Sequence, residues 1–228
     1  MKITSCLNTT KQEITAKKFN IFIGISLGNK YFTQKNIKDY ILWALENTKE
    51  KVAILIPDKI HSINYEVKNG YKKERADKLA LKEGEKALSI VDSILTELGE
   101  EKSKLVEILN WEKIETEEHK RMVAVLRDEF ENNNKFKDLI IEIVKENIQS
   151  DKLSDSDYEK LANYPLEELP MLVSGIEYAG IEYNLLPYPG ISKIDYLAID
   201  LQKGKSFLNI TQKLNIKNKL YLVEAYAE

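Results

Sequence analysis

One cysteine, Cys6, is all that the 228-residue chain carries. A lone thiol closes no internal disulfide and supplies no second sulfur ligand for a structural zinc cluster, so disulfide scaffolds and zinc ribbons are excluded and a reducing compartment is expected. No stretch approaches about 18 uncharged apolar residues, the length a spanning helix needs. The first 18 residues are polar and hold no apolar run of the signal-peptide kind. A soluble, cytoplasmic protein with no membrane partner is expected. Neither sign of charge dominates: 34 Lys and Arg face 37 Asp and Glu, for a net charge of −3. Bulk charge therefore indicates no polyanion partner, and any basic surface must be local. Repeats and low-complexity linkers are also missing. With 43% hydrophobic side chains, 228 residues can bury one sizeable core,. A single domain over 1–228 is predicted, with 1–18 as a loosely ordered N-terminal extension.

What is present reads as alternating strands and helices. Residues 20–26, NIFIGIS, form a short continuous apolar run ended by Gly28 and Asn29, the pattern of a strand buried on both faces,. Thr33 can cap a helix whose apolar positions Ile37, Tyr40, Ile41, Ala44 and Leu45 recur at helical spacing. A second buried strand, KVAILI at 51–56, stops at Pro57. Strand, helix, strand at this spacing is a βαβ unit and implies a parallel sheet covered by helices. The pattern continues with a helical stretch over 65–98, a strand at 106–114, and helices at 117–131, 135–149 and 156–163. Segments 194–201 and 219–226 look strand-like. The predicted fold class is α/β, a Rossmann-like parallel sheet of about five strands flanked by helices.

Three stretches carry residues suited to chemistry. Gly24-Ile25-Ser26-Leu27-Gly28 lies where a buried strand ends and fits the G-x-S-x-G pattern that exposes a serine nucleophile on a sharp turn. The same residues also suit any chain that must turn on leaving a parallel sheet. A hydrolase triad fits poorly: Ser26 is on the first predicted strand, no earlier βα loop supplies an oxyanion donor, and no histidine follows His119. His61, just past Pro57-Asp58, reads as a loop residue, and His119, in TEEHKR, as a solvated helix position. A serine without histidine needs a substrate that is already activated, such as an ester or thioester. In Tyr164-Pro165-Leu166-Glu167-Glu168-Leu169-Pro170, Tyr164 and Glu168 are four apart and share a helix face if Pro165 opens a turn, so a phenol and a carboxylate can hold a cationic amine. The third stretch, 183–190 with Tyr188-Pro189, reads as a rigid proline-rich loop.

Taken in this order and spacing, the three stretches resemble the cyclodipeptide synthases. That family is similar to the catalytic domain of class I tyrosyl- and tryptophanyl-tRNA synthetases without their ATP-binding signature. The resemblance runs from about Asn20 to Tyr226 and is carried by Gly24 to Asn29 with Tyr31-Phe32, by Tyr164 with Glu168-Leu169-Pro170, and by Tyr188-Pro189. The family divides on three positions, which read Asn29, Tyr188 and Pro189 here: the proline belongs to one subgroup and Asn29 to the other.

The resemblance implies an aminoacyltransferase that joins two amino acids from aminoacyl-tRNAs into a 2,5-diketopiperazine, with no ATP, other cofactor or metal. Ser26 would take the first aminoacyl group, Tyr164 and Glu168 would hold its α-ammonium group, and Tyr188 with Asn29 would orient the serine and the reacting carbonyl. Gly24, Met171 and Leu186 would help line the pocket for the first side chain. The tRNA would lie on a basic helix: residues 68–86 hold seven cations against four anions, and Lys68, Lys72, Arg75, Lys78 and Lys82 advance by three or four. Two rival readings are a serine esterase using the GISLG turn and a non-catalytic tRNA-binding relative of the synthetases.

Overall fold

The computed structural model describes residues 1–148 and 152–228. In chain order its elements are β1 (Lys2–Leu7), α1 (Lys11–Thr15), β2 (Ile21–Gly24), α2 (Gln34–Asn47), β3 (Val52–Ile56), α3 (Ser62–Asn69), α4 (Lys73–Leu98), α5 (Glu100–Ser103) and β4 (Val106–Asn110). There follow α6 (Trp111–Ile114), α7 (Glu117–Asn132), α8 (Asn134–Ile148), α9 (Asp155–Leu161), α10 (Asn163–Ser174) and the hairpin β5 (Ile176–Tyr178) and β6 (Ile181–Tyr183). The chain ends with β7 (Leu185–Tyr188), α11 (Lys193–Lys203), α12 (Leu208–Leu214) and β8 (Tyr221–Tyr226).

Ile21, Phe22 and Ile23 of β2 and the whole of β3 are buried because helices cover both faces of the sheet,. Successive side chains point to opposite faces. Phe22, Ala53 and Leu55 pack with α7, α8, α10 and α11, while Ile21, Ile23, Val52, Ile54 and Ile56 pack with α1, α2 and α4. Each fully buried Ile, Leu or Phe contributes roughly 1.5–3 kcal/mol of transfer free energy. Thr33 caps α2 by accepting from Asn36 N at 3.2 Å. On α4, Gly84 packs so close to the turn after β3 that a Cβ there would sit 2.7 Å from Asp58 Cβ.

The central sheet has six strands in the order β1-β8-β7-β2-β3-β4, and β5-β6 form a separate pair. All neighbours in the central sheet are parallel except β1, which runs antiparallel to β8. From β2 the chain builds outward to β3 and β4 on one side and later to β7 and β8 on the other. The β2/β7 boundary is thus a topological switch point, where the loops leaving the two strands diverge and leave a crevice. Pro187 widens it. Leu185 N–H is donated to Asn20 O on the β2 side, so by the two-residue period the donor missing at Pro187 falls on that side too. Pairing between β2 and β7 is confined to Ile21 with Leu185.

Several expectations need correction. The sheet expected to hold about five strands has six, and residues 1–18 hold β1 and α1 rather than a loose extension. The helical stretch over 65–98 is broken at Gly70, whose φ of +65° ends α3 in the left-handed region before α4 starts,. The strand at 106–114 stops at Asn110, whose side chain accepts from Lys113 N at 3.2 Å and caps α6. Segment 194–201 is helix α11, since Ser192 and Asp195 form a capping box and Ile194, Leu197, Ala198 and Leu201 recur at helical spacing,. The expected loop at 183–190 contains strand β7. The last residue of the predicted 135–149 helix lies outside the described residues. Among the described residues no helix is long and apolar enough to cross a membrane.

Candidate active site

A cavity of about 520 Å³ opens at the carboxyl ends of β2 and β7, in the crevice of the switch point. Ser26 enters it from the turn after β2. Ile25 N–H still bonds Leu55 O at 3.0 Å, and Asn29 N–H closes the turn on Ser26 O at 3.2 Å. Gly28 occupies the third turn position at φ +76°, where a side chain would be strained,. Ile25 and Leu27 are buried, so the two neighbours anchor the turn and leave Ser26 partly accessible between them. Asn29 is held in turn by Tyr31 N–H, which donates to its Oδ1 at 3.0 Å.

The opposite wall is α10. Tyr164 and Glu168, one helical turn apart, both line the cavity,. Burial, then the nearby Asp195 carboxylate, raises the Glu168 carboxyl from its ordinary 4.5 to about 7,. Burial and the Glu168 charge hold the Tyr164 phenol well above its usual value, so it stays protonated. Tyr188, at the end of β7, packs its ring 5.8 Å from that of Phe32. Burial raises its hydroxyl as well, while hydrogen bonding from Ser26 and Asn29 pulls the other way. A serine hydroxyl, two phenols and a carboxyl poised near neutrality therefore share one enclosed space. Such a set can accept an acyl group, hold an ammonium group and move its proton.

The predicted first-side-chain residues Gly24, Met171 and Leu186 lie in the same cavity. A Cβ on Gly24 would be 3.9 Å from Leu186 Cδ1, an ordinary contact, so the glycine leaves space at that wall. Phe22, Leu55 and Trp111 extend the apolar recess. Of the basic residues, Lys68 lines the cavity, whereas Lys72, Arg75, Lys78 and Lys82 do not. They are exposed along α4 and its start, and the Arg75 guanidinium lies 3.9 Å from the centre of the Tyr71 ring. Among the described residues, only Lys86 of the seven cations in 68–86 forms an ion pair, with Glu83 at 2.6 Å.

His61 lies in the turn before α3, as expected, whereas His119 differs from expectation. His61 lines the Ser26 cavity. Its ring sits edge-on to Tyr65 at 5.3 Å, and no hydrogen bond joins it to Ser26 among the described residues. His119 is buried, edge-on to Trp111 at 5.7 Å. It shares the inner face of α7 with Met122, Val123 and Leu126. Sequence reasoning also missed Asp195, which lines the cavity while its Oδ2 accepts from Ser192 N and Oγ at 2.8 and 2.9 Å. The S-x-x-D spacing of that capping box was its available signal.

Comparison with known proteins finds the same fold in solved cyclodipeptide synthases. A cyclodipeptide synthase from Bacillus thermoamylovorans is 19% identical over 93% of this chain and 90% of its own, with a TM-score of 0.74. A Mycobacterium tuberculosis protein, described as demonstrating that cyclodipeptide synthetases are related to type I tRNA synthetases, is 16% identical over 96% and 91%, also at 0.74. The cyclodipeptide synthase from Candidatus Glomeribacter gigasporarum, solved bound to Phe-tRNAPhe, is 16% identical over 91% and 86%, at 0.60. Among curated protein sequences nothing matches. The sequence family described as cyclodipeptide synthase matches residues 4–209, and with nine-tenths of its length so matched the chain belongs to the cyclodipeptide synthase family.

Proposed function

We propose that the chain makes a 2,5-diketopiperazine from two aminoacyl-tRNAs through a covalent intermediate on Ser26, without ATP. The observation that carries this reading is the meeting of Ser26, Tyr164, Glu168 and Tyr188, from three distant segments, around one cavity with an apolar recess. Ser26 Oγ attacks the ester carbonyl of the first aminoacyl-tRNA. Its proton passes to the departing ribose oxygen, with an adjacent ribose hydroxyl as shuttle, and the aminoacyl group remains as a serine ester. The side chain of that group occupies the recess beside Gly24, Met171 and Leu186. Its α-ammonium group sits between Tyr164 and Glu168.

A free α-amino group titrates near 7.7–8.0, close to the value of about 7 at Glu168. Transfer of the ammonium proton to Glu168 is therefore nearly balanced, which suits a general base. The freed amine attacks the second aminoacyl-tRNA ester, forming the first peptide bond and releasing the second tRNA. The new amino terminus then attacks the Ser26 ester, closing the ring and returning the proton to Oγ, with Tyr164 as relay. Two esters are broken and two amides formed, so no further energy source is required. Tyr188 and Asn29 hold Ser26 and the carbonyl in register.

Incubation with a pool of charged tRNAs followed by mass spectrometry of small products tests the reading. A diketopiperazine is expected, and its absence with all twenty charged tRNAs would contradict it. The presence of His61 in the cavity keeps an esterase as the second reading. That reading requires free amino acids instead of cyclic product, and their release must fall when His61 becomes Gln.

A further inference from the structure

On α3 and its N-cap, His61, Asn64 and Lys68 are spaced by three and four residues, so they share one helix face, and all three line the cavity that holds Ser26,. Among the described residues Lys68 is the only Lys or Arg in that lining, and it has no anionic partner. It also stands first in the basic stripe. Gly70, in the left-handed region, turns the chain sharply between Lys68 and Lys72. One cation is thereby directed to the cavity while Lys72, Arg75, Lys78 and Lys82 continue along the outside of α4.

We propose that this face of α3 seats the 3′-terminal nucleotide of the tRNA, with Lys68 on its phosphate and Asn64 and His61 on its ribose and base. The inference rests on the aminoacyl-tRNA reading and adds residues to it. The chemistry of the bond under attack constrains where that nucleotide sits. The acyl group is esterified to the terminal ribose, so when its carbonyl reaches Ser26 Oγ the ribose is a few ångströms away and must lie at the cavity mouth. Its phosphate then needs a donor at that mouth, and Lys68 is the cation available there. Partial desolvation lowers the Lys68 ammonium, a cost that an arriving phosphate would offset. Burial, with Lys68 nearby, lowers His61 too. A neutral imidazole offers one donor and one acceptor, which suits ribose hydroxyls rather than a phosphate.

Uncharged tRNA and the same tRNA lacking its 3′-terminal nucleotide separate this seat from the stripe. Dissociation constants would be measured for wild type, Lys68→Ala, Asn64→Ala and Lys82→Ala, with circular dichroism to confirm that each variant is folded. Wild type should bind intact tRNA about tenfold more tightly than truncated tRNA, the worth of one charge-assisted contact. In Lys68→Ala that ratio should fall to within about twofold, and in Asn64→Ala, which loses a neutral contact, to about fourfold. Lys82→Ala should weaken both tRNAs alike and keep the ratio. No preference in the wild type, or a Lys68→Ala protein that weakens both tRNAs equally, would overturn the proposal. In product assays with different charged tRNAs, an effect of Asn64→Ala that follows the identity of the amino acid would overturn it as well, placing this face against the second aminoacyl group. Labelling of wild-type Ser26 by charged tRNA is scored separately. Its failure would remove the aminoacyl-transfer reading whatever the binding ratios show.

Discussion

Glu167 and Glu168 are adjacent on α10 and identical in chemistry, yet the fold gives them opposite surroundings. Glu167 turns outward, pairs with Arg127 at 2.6 Å and lies 3.9 Å from His119 Nε2. Glu168, rotated by roughly 100°, faces the cavity beside the neutral Tyr164 phenol, where burial and then the Asp195 carboxylate raise its carboxyl to about 7. Helix phase alone therefore separates a carboxylate spent on an ion pair from one with no ion-pair partner among the described residues, available to an ammonium group. The same contrast holds between the two sides of the stripe: Lys86 is paired with Glu83, whereas Lys68 reaches the cavity with no anionic partner among the described residues.

The largest effect is expected at the nucleophile that Glu168 serves. Ser26→Ala should fold and bind tRNA normally but lose product formation by at least about a thousandfold, the scale seen when a nucleophile is removed. Product near the wild-type rate would remove Ser26 from the mechanism. Next comes the carboxylate pair itself. Glu168→Gln should cut diketopiperazine formation on the order of a hundredfold or more, because an amide keeps the shape but accepts no proton and loses the charge-assisted bond. Glu167→Gln should change the rate by less than about threefold and cost no more than about 1 kcal/mol in stability, as for an exposed ion pair. Equal losses at both positions would dissolve the distinction.

Acidity sharpens the same comparison. Because Glu168 holds its proton more tightly in the folded state than its ordinary value of 4.5 allows, stability should fall as pH rises from about 4.5 to 7,. Removing that titration, Glu168→Gln should melt above wild type near pH 8 and coincide with it near pH 4, while wild-type activity climbs through about pH 7 as the base ionises. Thermal melts of the two proteins at both pH values check the sign. A variant less stable than wild type at pH 8 would show that Glu168 is held by a cation instead.

Smaller effects are expected further out. Lys72→Ala, Arg75→Ala and Lys82→Ala combined should lower tRNA affinity for all sequences alike and flatten the salt slope by about three, one for each phosphate contact. An unchanged slope would put the tRNA elsewhere. Tyr164→Phe should still load Ser26 while cyclisation slows by about tenfold, the cost of one lost hydrogen bond. A variant that fails to load would assign the phenol to the first step.

The βαβ start, the Ser26 turn and the Tyr164/Glu168 face were legible because each is written in local spacing: an apolar run, a glycine after the turn, residues four apart. β1 was not, since KITSCL is half exposed at a sheet edge and has no apolar alternation to read. Pro187 disguised β7, because proline argues against a central strand except where pairing on one side stops, as it does here toward β2,. Asp195 was hidden by Ile, Tyr and Leu in 194–201, whose strand preference yielded to a capping box and a helical apolar stripe,. His119 sits among charges in TEEHKR, and only its phase with Met122 and Leu126 shows that it turns inward. Lys68 read simply as part of a stripe. That it enters the cavity depends on the left-handed turn at Gly70, a tertiary consequence with no periodic signature.

The most direct measurement is the intact mass of the protein after brief exposure to charged tRNAs, with peptide mapping of any adduct. The account predicts an increase equal to one aminoacyl group, mapped to Ser26, enriched when Glu168→Gln slows the following step and absent in Ser26→Ala. Cyclic product formed with no adduct, or an adduct on another residue, would contradict it.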